Sequence, residues 1–513
     1  MAGASRIPLN SDSAFGEWGF AKTVQRLGET IRQLYQCDAV PWVVGYSGGK
    51  DSSAVLQLVW NAIKELPEEE RRKQVHVIST DTLVEQPVVA AWVDKSLVRL
   101  REAAAAQKLP FVAHKLTPET QDSFWVNLIG RGYPAPRQKF RWCTERMKIR
   151  PSNKFIRDMV RRYGEAILVL GTRKAESQVR ALRMERLEAT RIRDGLSPNK
   201  SLPNSLVFTP IENWSNDDVW MYLMQVKNPW GHDNKSLLAM YQGASEGGEC
   251  PLVVDSSTPS CGSSRFGCWV CTVVDKDRSM EAMIKNDEEK SWMMPLLELR
   301  NEMDKPDDRD RRDFRRMSGQ IQLFHDRTIP GPYLKQWREH WLRRVLTAQE
   351  SIRTNGPEEF AGIELISMAE MHEIRRIWLH EKHEFDDSLP RIYQEVMLQP
   401  FPKKADDGNW LRQEDLDLLR DVCGQDSAFF SLQVSLLGVE RRFRSMTRRS
   451  GVFEALEDRL RAGMFESEQE AITVLSEQRD RLEDVAGKKQ DHAGPKQMNL
   501  FDATGTEPEG DHE

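Results

Sequence analysis

PWVVGYSGGKDSSAVLQLVWNAIKEL, residues 41–66, decides the fold. Val43 and Val44 read as a short buried strand, the glycines as a turn, and Ala54 to Leu66 as a helix. A strand, a tight SGGKDS turn and a helix in succession form a phosphate-binding arrangement. Gly48 and Gly49 let the backbone approach a ligand closely. The free N–H groups of the new helix, at its positive end, favour a di- or triphosphate. Lys50 adds a mobile cation, Asp51 can hold Mg2+, and Ser47, Ser52 and Ser53 supply hydroxyls. The spacing lacks the four-residue gap of a Walker A loop, which argues against ordinary P-loop chemistry.

Outward from this stretch, strands and helices alternate. Residues 20–40 carry Val24, Leu27, Ile31 and Leu34 at helical spacing, and 74–80 and 110–118 read as strands around a helix at 98–109. Residues 156–177 read as helix, strand and polar loop. This order predicts an α/β fold, a parallel sheet with helices on both faces. Residues 185–205 read as a surface loop, and 208–225 as an edge strand and a helix capped by Ser215. The expected domains are 1–230 for the nucleotide fold, 231–290 for a cysteine-rich segment, 291–485 for a helical region and 486–513 for a disordered tail.

The 513 residues carry a net charge of −6, so nucleic acid contact requires a local patch or a partner. No apolar run is long enough to span a membrane, and MAGASRIPLNSDSAF lacks the pattern of a secretory signal. A cytoplasmic protein with no membrane contact is expected. Of seven cysteines, Cys250, Cys261, Cys268 and Cys271 lie together with ten, six and two residues between them. That spacing suits a four-thiolate site for zinc or an iron–sulfur cluster, and does not choose between them. A redox pair at Cys268 and Cys271 is the rival reading. Trp269 and Val270 can shield such a centre. Cys37 and Cys423 read as core thiols, and Cys143 as a pocket group or persulfide carrier.

Five segments carry a resemblance. SGGKDS resembles the PP-loop of the ATP pyrophosphatases, which cleave ATP between the α- and β-phosphates. STDTLVEQP (79–87), RWCTERMKIRP (141–151), GTRKAESQVRA (171–181) and PIENWSNDDVWMYL (210–223) are similar to motifs of its phosphoadenylylsulfate (PAPS) reductase-like branch. The resemblance implies nucleotide contacts from Asp81 and Thr82, and from Gly171, Arg173, Glu176 and Ser177. Arg173 and Arg180 would face an oxyanion with fork-like donors, oriented by Glu176 and Ser177. With CPLVVDSSTPSCGSSRFGCWVCTVV (250–274) added, the chain resembles the DndC family, the sulfur-transfer subunits of bacterial DNA phosphorothioation. That resemblance implies a 4Fe-4S cluster on the four cysteines and cleavage of ATP to AMP and pyrophosphate. It implies replacement of a non-bridging DNA phosphate oxygen by sulfur, with Lys50, Asp51, Arg173, Arg180 and Cys143 as catalytic candidates. Its implied partners are DNA, a cysteine desulfurase as sulfur donor, and the subunits DndD and DndE. A sulfonucleotide reductase is the alternative, although no cysteine follows Cys423 to serve as its C-terminal nucleophile. A zinc-stabilised nucleotide-binding scaffold is the third reading.

Two further features stand apart. RDRRDFRRMSG (309–319) reads as a salt-bridged helix surface, with a DNA-backbone patch as its alternative, and ERRFRSMTRR (440–449) is a cleaner candidate for phosphate contacts. In the tail, Gln497, Leu500 and Phe501 resemble the peptide that bacterial proteins insert into the replication sliding clamp.

Overall fold

The computed structural model describes residues 13–191, 193–245, 266–317, 319–402, 413–424, 426–444, 446–463, 465 and 467–491. The chain forms two compact units, one of residues 1–311 with 333–413 and the other of 312–332 with 414–513.

The first unit is built on a six-stranded sheet. Its strands are β1 (Trp42–Gly45), β2 (Val75–Thr80), β3 (Phe111–Leu116), β4 (Ala166–Val169), β5 (Leu196–Pro198) and β6 (Ser205–Phe208). The order is β3-β2-β1-β4-β6-β5, and every pairing is parallel except β5 with β6. β1 is buried because both faces are covered, as a central parallel strand requires. Chain direction across the sheet reverses between β1 and β4, and the crevice for a ligand opens at the carboxyl ends beside such a reversal.

Helix α1 (Phe20–Gln36) and α2 (Lys50–Lys64) pack together, and α2 is buried along nearly its whole length. Next come α3 (Pro87–Ala106), α4 (Arg150–Tyr163), α5 (Gln178–Glu188) and α6 (Asn216–Gln225), with α7 (Asn234–Gly243) after them. α3 starts at Pro87, eleven residues before the helix read from sequence, because Pro at the first helical position initiates a helix. Ser215 caps α6 in a capping box with Asp218, as its sequence predicts.

Three expectations change. Residues 185–205 are not all loop: α5 runs to Glu188, and β5 pairs on the outside of β6, with Leu196 and Leu202 buried. β6 is therefore interior. Cys37, at the end of α1, is exposed and Cys423 is half-exposed; both lie where a helix ends and its apolar stripe leaves the core.

A second core of the same unit is helical. It gathers α8 (Arg278–Asn286), α9 (Met294–Met303), α10 (Lys335–Asn355), α11 (Met368–His380) and α12 (Ser388–Met397) around Trp125, Trp269, Trp341 and Trp378. The other unit holds a two-stranded hairpin, β7 (Leu323–Phe324) and β8 (Arg327–Thr328). It also holds helices α13 (Gln413–Cys423), α14 (Ser427–Arg444), α15 (Val452–Gly463) and α16 (Glu468–Asp491). Among its described residues, the Arg/Asp run at 309–319 forms a single 3-10 turn at Arg309–Arg311 rather than a helix surface. Arg311 lies over the Trp337 ring at 4.2 Å, and Arg312 donates to the carbonyls of Gly331 and Pro330 at 2.7 and 2.8 Å. No described helix is long and apolar enough to cross a membrane.

Candidate active site

The turn after β1 is shaped by close packing. Gly48 has φ +74°, and a Cβ there would meet Val93 Cγ2 at 2.5 Å, so only glycine fits. Trp92 Nε1 donates to the Gly48 carbonyl at 3.2 Å and pins the turn. Ser47 and Ser52 join hydroxyl to hydroxyl at 3.1 Å, and Ser52 Oγ donates to the Gly49 carbonyl at 3.0 Å. The backbone N–H of Lys50 donates to Tyr241 Oη at 3.3 Å, and its ammonium lies 5.5 Å from that ring.

The turn from β4 closes against it. A Cβ on Gly171 would meet the Asp51 carbonyl at 2.9 Å, so glycine lets the two turns touch. Arg173, buried, reaches across: its Nε lies 2.7 Å from Asp51 Oδ1, and its Nη1 donates to the Trp214 carbonyl at 3.2 Å. The Arg173–Asp51 contact is off line for a hydrogen bond, which leaves both groups capacity toward a ligand. Lys50 Nζ lies 3.1 Å from Asp51 Oδ2. Glu176 accepts from the Arg173 backbone at 3.1 Å and also pairs with Arg180, while Ser177 Oγ caps α5 by accepting from Arg180 N at 3.2 Å.

These turns line a cavity of about 930 Å³ at the carboxyl ends of the strands. Ser47 to Ser52, Asp81, Gly171, Arg173, Glu176 and Arg180 all line it, with Ile78, Leu168 and Ile156 as apolar wall. Its size and mixture suit a nucleotide. Lys115, Lys148 and Tyr241 also line it and were not singled out from sequence. Lys148 stands in the 141–151 motif, so its signal was present; Lys115 is placed by β3 and reaches Asp81 Oδ2 at 2.9 Å.

Thr82 and Cys143 fall outside the cavity lining. Thr82 is buried on the far side of the loop after β2. Its Oγ1 donates to Glu85 at 2.8 Å and lies 3.3 Å from Cys268 Sγ. Trp269 N donates to the Val84 carbonyl at 3.0 Å, so the CWVC segment is seated on this same loop. Trp269 and Val270 are buried in the helical core; they anchor the segment there rather than only shielding a centre. Arg300, buried, donates to the Cys271 carbonyl at 3.0 Å and the Asp275 carbonyl at 3.2 Å and fixes the exit of the segment. Burial pushes the Cys268 thiol up to about 12, and nearby Glu85 adds to this, while Lys148 opposes it. Cys143 packs on the helical core, near enough to Cys271 and Lys148 to feel their charge; burial raises its thiol. Cys143 thus lies on the cysteine side of the wall.

Cys250 and Cys261, and the tail residues Gln497, Leu500 and Phe501, lie outside the described residues. Among the described residues no group of three or more His, Cys, Asp or Glu side chains is placed to hold a metal. The described half of the quartet fits a metal centre in its chemistry. Cys268 and Cys271 meet across one turn, Cys271 N donating to the Cys268 carbonyl at 3.0 Å. A desolvated thiol is a soft donor that metal binding deprotonates.

Residues 41–273 match the family model of the phosphoadenosine phosphosulfate reductase domain. Over these residues, a little under half of the chain, the sequence is similar to that domain. An uncharacterized protein of Methanocaldococcus jannaschii is 26% identical over 263 residues, 51% of this chain. The chain spans only 42% of that relative. Among solved structures, a Candida auris PAPS reductase in complex with phosphate overlaps at TM-score 0.25 and 16% identity, covering 39% of this chain and 84% of its own. Candida glabrata FMN adenylyltransferase with FAD and pyrophosphate overlaps at TM-score 0.26 and 12% identity, covering 51% and 78%. The U34-tRNA thiolase NcsA of Methanococcus maripaludis with its [4Fe-4S] cluster overlaps at TM-score 0.27 and 13% identity, covering 57% and 82%. Overlaps at these scores carry no argument about activity.

Proposed function

We propose that this chain cleaves ATP to AMP and pyrophosphate and uses the adenylyl group to exchange a non-bridging oxygen of a DNA backbone phosphate for sulfur. One observation supports the reading: the loop after β2 presents Asp81 and Glu85 to the nucleotide cavity, while Thr82 and the same Glu85 reach Cys268, so a single loop lies between phosphate and thiol. A phosphodiester oxygen is a poor leaving group until it is adenylated. In the first step that oxygen bonds to the α-phosphorus of ATP and the bond to pyrophosphate breaks. In the second, hydrosulfide bonds to the DNA phosphorus, AMP leaves with the oxygen, and the sulfur proton passes to water. Lys50, Arg173 and Arg180 stabilise the charge on the transferring phosphoryl group, and Asp51 holds Mg2+. Cys250, Cys261, Cys268 and Cys271 would hold the 4Fe-4S cluster, which when bound would supply a one-electron redox centre beside the nucleotide wall. A cysteine desulfurase supplies the sulfur as a persulfide, which a thiol reductant releases as hydrosulfide while the thiol becomes a disulfide; DndD and DndE act alongside, and the tail peptide docks on the sliding clamp.

The family match also favours a second reading, a sulfonucleotide reductase. The two separate in one assay. Purified anaerobically, the full chain is incubated with ATP, sulfide, duplex DNA, PAPS and a dithiol reductant, sulfite is measured, and the DNA is digested and read by mass spectrometry. Phosphorothioate dinucleotides lost in Lys50→Ala and Cys268→Ser are expected. Their absence, with sulfite released from PAPS instead, would establish the reductase.

A further inference from the structure

Helix α4 has a feature that the nucleotide site does not use. Arg150, Lys154, Arg157 and Arg161 recur at spacings of four, three and four. At 3.6 residues per turn they fall within about 60° of arc on one flank and span about 16 Å. All four are exposed; the side chains of Arg150, Lys154 and Arg161 retain 50%, 69% and 79% of their surface. Ile156 and Met159 occupy the buried flank. Residues 146–163 contain Arg146, Lys148, Arg150, Lys154, Arg157, Arg161 and Arg162 against the single acid Asp158, within a chain whose net charge is −6. The helix begins at the cavity, where Ser152, Asn153 and Ile156 form part of the wall.

We propose that this stripe is a track for the sugar–phosphate backbone of a nucleic acid, leading a backbone phosphate to the nucleotide cavity. The proposal rests on the DNA reading above. The anchoring is graded along the helix. Arg150 is held at the mouth by Asp122 at 2.9 Å, and the same carboxylate takes Arg146 at 2.9 Å. Farther along, Lys154 pairs with Glu119 at 2.8 Å and Arg161 with Asp158 at 3.3 Å, both on the open surface. Exposed pairs contribute at most about 1 kcal/mol and are readily exchanged for phosphate. Arg157 has no acidic partner among the described residues. The four stripe positions include no apolar anchor of the kind that a protein partner's interface centres on, so charge complementarity selects a polyanion.

The test uses the full chain and a fluorescent duplex of about 20 base pairs, titrated over a range of salt. In Lys154→Glu/Arg157→Glu/Arg161→Glu, affinity is expected to fall at least about tenfold, and the slope of log K against log salt to shrink by about three. Pyrophosphate release from ATP without DNA, in which water attacks the α-phosphorus in place of the phosphate oxygen, and the melting temperature are expected to match the unmodified chain. Arg157→Ala, which disturbs no ion pair, is expected to lower the slope by about one. Unchanged affinity and slope in the triple variant would overturn the track, as would failure of the unmodified chain to bind the duplex. The sulfur reading fails separately: a chain whose DNA binding depends on the stripe but which forms no phosphorothioate keeps the track and loses that chemistry.

Discussion

The two faces of the six-stranded sheet are covered unequally. Side chains alternate along each strand, so β1 sends Trp42 and Val44 to one face and Val43 to the other. The first face lies under α1, α2 and α6, and its core includes Trp42, Trp60, Trp220 and Trp230. The second is a small cluster of Val43, Ile78, Ile156, Met159, Ala166 and Leu202 beneath α4. Ile78 and Ile156 are also walls of the nucleotide cavity. The first face holds the fold together; the second gives up packing so that a ligand can be received.

Substitutions can break this contrast. Trp60, fully buried and stacked on Phe111 at 4.5 Å, is expected to cost about 3–5 kcal/mol as Trp60→Ala in denaturant unfolding, with little change in ATP affinity for the fraction that stays folded. Acid probes the second face. His76 lies on β2 beside His114 and Phe155, and burial, then the charges of His114 and Arg162, lowers its pKa to about 4. The unfolded chain therefore takes up a proton between about pH 6.5 and 4 that the folded chain refuses. Stability should be free of this penalty above pH 6.5 and fall by up to about 3 kcal/mol toward pH 4. His76→Phe should flatten that limb of the stability profile. The smallest effect is expected for Ile156→Ala: about 1–2 kcal/mol of stability, because the neighbouring cavity already interrupts the packing. The same change should raise the KM for ATP about fivefold. A cost equal to that of Trp60→Ala, with KM unmoved, would make the second face ordinary core.

How much was legible follows from which residues are neighbours in sequence. SGGKDS is one continuous turn, so its strand, glycines and Lys50 could be placed directly, and Gly171 and Arg173 follow a readable apolar strand. The three-residue β5 was hidden because an edge strand that short has no measurable period, and the inward-turning Leu196 and Leu202 stand among polar residues, of which Ser197 and Ser205 are buried too. The orientation of the second loop was hidden too. Sequence named Asp81 and Thr82 together as nucleotide contacts, whereas the loop sends Asp81 to the cavity and Thr82 toward Cys268. That division depends on the CWVC segment, almost two hundred residues away, pairing with the loop, which no local pattern encodes.

Product analysis of ATP turnover by the purified chain tests the central claim most directly. The account predicts AMP and pyrophosphate in equal amounts, reduced about 10²–10³-fold in Lys50→Ala with the melting temperature nearly unchanged. Formation of ADP and inorganic phosphate, or a Lys50→Ala chain as active as the original, would contradict it.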